Sequence, residues 1–225
     1  MSGNVVFRDR SEAGAALAGK IEELHPRDPV ILALPRGGVP VGFEIARRLH
    51  APLDVILVRK IGAPGHSEYG IGAVVDGAAN RAIINHAAAR AAGADQAYID
   101  AEVAPELERI EQRRAAYRHG PPVPIEGRTA IVVDDGIATG NTAMVALQAL
   151  GTAGAAKIVL AVPVAPRDTL DTLRAFCDEI VCLATPSPFY AVGAHYRDFG
   201  QTSDAEVIQF LHEPRLGTAG SADQR

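Results

Sequence analysis

Apolar positions along the chain fall into short runs separated by stretches of a different period. Residues 30–34 (VILAL), 53–58 (LDVILV), 130–133 (AIVV), 158–162 (IVLAV) and 180–183 (IVCL) have strand length and β-branched content. Runs that are apolar throughout suit strands of a parallel sheet covered on both faces. Between them, residues 39–49, 142–153 and 167–176 repeat apolar side chains at helical spacing. This alternation predicts βαβ units and an α/β fold, an open, mainly parallel sheet flanked by helices. Ligands of such sheets sit at the carboxyl ends of the strands, so the loops after each run are where chemistry is expected.

Two regions break the rhythm. Residues 86–119 are rich in Ala, Glu and Arg and predict a helical insertion, one long helix or a pair turning at Gly93, with Pro105 bending it or starting a second helix. Its charges read first as a solvated face, with a subunit contact or a lid as alternatives. Residues 185–200 hold Pro186, Pro188, Gly193 and the aromatics Phe189, Tyr190 and Tyr196, the composition of an ordered loop. A last helix is expected to open at Ser203, with Glu206 completing a capping box. One domain is expected over residues 1–212, followed by a flexible tail, 213–225.

Composition narrows the classes. The chain has 225 residues, 48% hydrophobic and 22% charged, enough apolar side chain to bury a core. A net charge of −5 argues against a broad nucleic-acid-binding surface. The longest apolar run (residues 158–165) is too short to span a bilayer, and no secretory leader is visible. Cys177 and Cys182 fit no zinc spacing. Together these predict a soluble cytoplasmic protein with no nucleic-acid or membrane partner. Residues 14–20 match P-loop spacing, but Ile21 stands where Ser or Thr would bind Mg²⁺, and the segment reads as an Ala-rich helix.

The densest chemical signal is IVVDDGIATGNT, residues 131–142. Asp134 and Asp135 end a strand; Gly136, Ile137, Ala138, Thr139 and Gly140 form a small-residue loop; Asn141 and Thr142 open a helix. Unpaired N–H groups at that helix start suit a phosphate, and paired carboxylates suit sugar hydroxyls. A second turn, Arg36-Gly37-Gly38, lets backbone amides approach a ligand closely. Arg59 and Lys60 place adjacent cations after the second apolar run.

The segment 131–142 resembles the phosphoribosyl-diphosphate (PRPP) motif of type I phosphoribosyltransferases, and Arg36-Gly37-Gly38 resembles their diphosphate loop. The resemblance follows element order over most of residues 5–212 and is tight in these motifs. It implies that Asp134 and Asp135 hold the ribose hydroxyls and Mg²⁺, and that residues 137–142 cradle the 5-phosphate. Arg36, Gly37, Gly38, Arg59 and Lys60 would stabilise the leaving diphosphate. A C-terminal hood-like loop would cover the acceptor, where Phe189 or Tyr190 stacks on a base and Asp198 accepts from it, unless they pack the loop itself.

The Gly-rich segment 61–75 falls where the family has its mobile catalytic flap, with Glu68 either facing the acceptor or an exposed loop acid. The implied activity is Mg²⁺-dependent transfer of a 5-phosphoribosyl group from PRPP to a small-molecule, nitrogenous acceptor. Members of the family usually pair as dimers, so the resemblance implies a homodimer. The alternative is a non-catalytic PRPP- or nucleotide-sensing protein. Ala138 stands where 6-oxopurine enzymes carry an aspartate, which counts against those purines. The chain looks like the bacterial branch of the family whose acceptor is unassigned.

Overall fold

The structure is a computed structural model and describes residues 6–76, 81–117 and 120–213, apart from the side chains of Ser67, Glu68 and Arg81. Its centre is a five-stranded parallel sheet built from β1 (Pro29–Ala33), β2 (Leu53–Val55), β6 (Thr129–Val133), β7 (Lys157–Val164) and β8 (Glu179–Ala184), in the order β2-β1-β6-β7-β8. Both faces are covered, as the unbroken apolar runs require. Ile31, Ala33, Ile131 and Val133 enter one core, while Val30, Leu32, Ala130 and Val132 enter the other.

Helices α1 (Arg10–Glu22), α2 (Gly38–Leu49) and α7 (Asp204–His212) pack on the first face; α5 (Asn141–Thr152) and α6 (Arg167–Leu173) pack on the second. α6 continues as a single tighter turn over Arg174–Phe176. α7 opens at the expected capping box of Ser203 and Glu206. Among the described residues, no helix is long and apolar enough to cross a membrane. The proposed tail falls almost wholly outside the described residues, which end at Glu213.

Two expectations are corrected. The apolar run 53–58 is not one strand: it divides between β2 and β3 (Val58–Ala63), which belong to different sheets. The segment 61–75 is not an irregular loop either. β3 turns at Pro64 and Gly65 into β4 (His66–Val75), and β5 (Arg81–Ile84) completes an antiparallel three-stranded sheet. Glycines hid the strand pattern because they supply close approach instead of side-chain alternation. A Cβ on Gly72 would stand 2.6 Å from the Ile83 carbonyl oxygen on the neighbouring strand.

The helical insertion is a pair, α3 (His86–Ala91) and α4 (Gln96–Tyr117), turning at Gly93 with φ +72°. α4 contains Pro105 in its interior and does not end there. Ile99, Ile110 and Tyr117 bury its inner face against β3 and β4.

Gly14, part of the discarded P-loop match, lies where α1 crosses α2: a Cβ there would meet the Val41 carbonyl oxygen at 2.7 Å. Gly14→Ala should destabilise the protein by about 1–3 kcal/mol through overpacking. Chemical denaturation should show a lower midpoint with an unchanged m-value.

Candidate functional site

β1 lies between β2 and β6, so the chain leaves it in one direction to β2 and later returns on its other side. The crevice between the loops after β1 and β6 is therefore the switch point of the sheet, the place where open α/β sheets bind ligands. Both glycine motifs meet there. The Leu34 N–H donates to the Val133 carbonyl at 2.8 Å, extending the ladder to the loop mouths. Beyond it the loops touch backbone to backbone. A Cβ on Gly38 would sit 2.6 Å from the Val133 oxygen, and one on Gly37 would sit 2.1 Å from Asp135 Oδ2. Glycine is required at both positions by this approach. The Pro35–Arg36 peptide is cis.

Helix termini show what the crevice lacks. α1, α3 and α7 begin with side-chain caps from Asp9, Asn85 and Ser203. α2 and α5, which open at the crevice from Gly37 and Gly140, have none (α6, after Pro166, is also uncapped). Their first N–H groups lack the usual side-chain acceptor and their dipoles point positive ends into the crevice. Gly140, at φ +76°, makes the turn into α5. Thr139, Asn141 and Thr142 are exposed around it, and Ile137 anchors the loop in the core. The Thr169 hydroxyl donates to the Ala138 carbonyl at 2.9 Å and holds the loop from behind.

The two aspartates have different surroundings. Asp135 Oδ2 accepts from Arg10 Nε at 2.7 Å, both side chains being about one-seventh exposed (14% and 13%). The same guanidinium donates to the Gly200 carbonyl at 2.7 Å and lies 4.0 Å from the centre of the Phe199 ring. The Tyr196 hydroxyl donates to the Asp135 carbonyl at 2.5 Å; burial pushes this phenol up, so it stays a donor. Asp134 Oδ1 accepts from the Asp135 N–H at 2.9 Å. Burial, and then the charge of Asp135, raise the Asp134 carboxyl well above the ordinary carboxylate range.

A cavity of about 410 Å³, within the range of small-molecule sites, opens at the loop after β1 and the start of α5. Leu34 and Pro35 of the β1 loop and Thr142 of the β6 loop form part of its wall. α4 crosses over it and adds Arg109, Gln112, Arg113 and Tyr117. Asp134 and Asp135 are not part of its wall.

Residues 9–196 match the phosphoribosyl transferase domain family. The chain belongs to that family. It is 46% identical over 221 residues to a Mycobacterium tuberculosis protein named "Putative phosphoribosyl transferase", covering 97% of this chain and 49% of that protein. The chain thus spans about half the length of the curated relatives it matches. It also resembles the crystal structure of TT1426 from Thermus thermophilus, with 43% identity and a TM-score of 0.83 over 92% of this chain and 98% of that one.

Set in the phosphoribosyl transferase fold, the expected residues separate into groups. Gly37, Gly38, Asp134, Asp135 and residues 136–142 come together at the switch point. Arg36 is near them and faces Asp204 on α7 at 3.8 Å. Arg59 and Lys60 follow Val58 in β3, where alternation sends adjacent side chains to opposite faces. Arg59 lines the cavity and pairs with Glu106 of α4 at 2.7 Å; Lys60 flanks Gly70 on the other face.

The backbone of Glu68 lies in β4, and its side chain is outside the described residues. In the C-terminal loop, Phe189 stacks on His195 at 5.7 Å, Asp198 accepts from the Gly200 N–H of its own loop, and Tyr190 is exposed. Sequence reading missed Arg10, which lies 125 residues from its partner. It also favoured a solvated face for α4, although the spacing of Arg109 and Arg113 puts both on one side of the helix.

A carboxyl whose charged form is disfavoured by the fold costs stability once it ionises. Asp134→Asn should therefore raise Tm at neutral pH. The gain should shrink as pH falls and vanish below the ordinary Asp value of 3.8, where both states are protonated. Arg10→Met should cost about 3 kcal/mol by stranding a largely buried carboxylate, and adding Asp135→Asn should restore part of it. Thermal unfolding of the four proteins of that cycle measures the coupling.

Proposed function

We propose that the chain transfers the 5-phosphoribosyl group of PRPP to a nitrogenous acceptor with release of diphosphate. The observation that supports this reading is the meeting of two uncapped helix N-termini and two adjacent carboxylates at the switch point. The residues 137–142 loop and the α5 amides would take the 5-phosphate, an anion matched to that dipole. The Arg36–Gly38 turn and the start of α2 would take the diphosphate, with Arg36 close by. Ribose hydroxyls would donate to Asp134, whose Oδ1 already accepts from the Asp135 N–H. Asp135, held by Arg10, would orient that acid and contribute its other oxygen.

In the reaction the anomeric C–O bond breaks, its electron pair leaves with diphosphate, and the acceptor nitrogen bonds to the same carbon. Carboxylates beneath the ring favour the positive charge that builds there. The donor set also fits Mg²⁺, a hard cation that takes one or two carboxylates and keeps several waters. Asp134 and Asp135 would hold it, and it would neutralise charge on the diphosphate.

Diphosphate release from Mg-PRPP, followed with a panel of purines, pyrimidines and small amines, tests the reading. Asp134→Asn should reduce turnover by about a hundredfold or more, with far-ultraviolet circular dichroism unchanged. Undiminished Mg-PRPP affinity and turnover in that variant would remove the assignment, and PRPP binding with no turnover for any acceptor would favour a sensing role.

A further inference from the structure

We infer that the cavity under α4 receives an acidic group carried by the acceptor, gripped by Arg109 and Arg113. The inference rests on the phosphoribosyl-transfer reading and names the substrate class for it. Residues four apart on a helix share a face, and both arginines line the cavity, with Arg59 reaching in from β3. Two like charges one turn apart repel each other. Their compensation is incomplete: Glu106 is the carboxylate for both Arg59 and Arg109, and Arg113 has no ion pair among the described residues. Two guanidinium groups thus share one carboxylate, and the third is paired with none among the described residues.

The carboxylate in the wall itself, Asp204, accepts from the Tyr117 hydroxyl and faces Arg36. That hydroxyl, its pKa pushed up to about 12 by burial and by Asp204, remains protonated.

The floor distinguishes an organic acid from a bare anion. Leu34, Ile56, Leu57 and Ile110 are buried and line the same cavity. Inorganic diphosphate gains nothing from such a surface, whereas a ring or chain bearing a carboxylate or phosphate does. On the phosphoribosyl-transfer reading the donor's diphosphate goes to the Gly37–Gly38 turn instead. Guanidinium forks match both carboxylate and phosphate geometry, so either group satisfies the arginines.

The test titrates the full chain with nicotinate against nicotinamide, orotate against uracil and benzoate against benzamide. Mg²⁺ and ribose 5-phosphate are present, and inorganic diphosphate is titrated separately. At least one acid should bind about tenfold or more tighter than its neutral counterpart. In the Arg109→Gln/Arg113→Gln double variant that preference should fall below about twofold, with diphosphate affinity unchanged. Three results would overturn the inference: no acid preferred over its neutral partner, a preference that survives the double variant, or a loss of diphosphate affinity in its place. The last would assign the arginines to the donor. Failure of the phosphoribosyl reading shows separately, as Mg-PRPP affinity indifferent to Asp134→Asn.

Discussion

The site depends on one close approach, the contact of the β1 loop with the β6 loop at Gly37 and Gly38. With no Cβ at either position, the backbone after β1 lies directly against Val133 and Asp135. That contact brings the amino ends of α2 and α5, which pack on opposite faces of the sheet, to the same crevice. A side chain at either glycine would separate the loops, and the two uncapped helix termini would no longer meet at one crevice. The β1–β6 pairing, which continues through Leu34 to Val133, makes the approach rigid.

Electrostatics explain the unequal treatment of the two acids. Adjacent carboxylates in a part-buried turn repel, and the fold compensates one of them strongly. Arg10 reaches from the first turn of α1 to Asp135, and its guanidinium is itself held by the Gly200 carbonyl and the Phe199 ring. Asp134 keeps the unfavourable share of burial and repulsion. A hydroxyl donor or a cation arriving at Asp134 relieves that cost, so the turn is disposed to bind such groups there. The same Arg10 network ties the C-terminal loop to the acid pair, which makes that loop part of the site's support.

The hairpin sheet and α4 add a second layer above the strand ends. Ile61, Ile71 and Val74 join Ile99, Ile110 and Tyr117 in one apolar cluster, so α4 is fixed by burial along its inner face. Its cationic edge overhangs the cavity for that reason. What lies under it is a chamber with an apolar floor and a positively charged rim, next to the crevice and distinct from it in chemistry.

The parallel sheet, its order of strands and helices, the capping box at Ser203 and the loop of residues 134–142 were legible in the sequence, because each is encoded by neighbours within a few residues. Unbroken apolar runs mean two covered faces, and glycine next to acids at a strand end means a turn that needs both. The three-stranded sheet was not legible, since Gly62, Gly70 and Gly72 leave no alternation to read where strands touch through missing side chains. Nor were Arg10 and the arginines of α4: an isolated cation on a helix has the same local signature whether it meets water or a carboxylate 125 residues away. Local chemistry determined which groups this protein has at its strand ends; only tertiary packing decided which of them share a crevice, because charge pairing and cavity walls are made by distance in space.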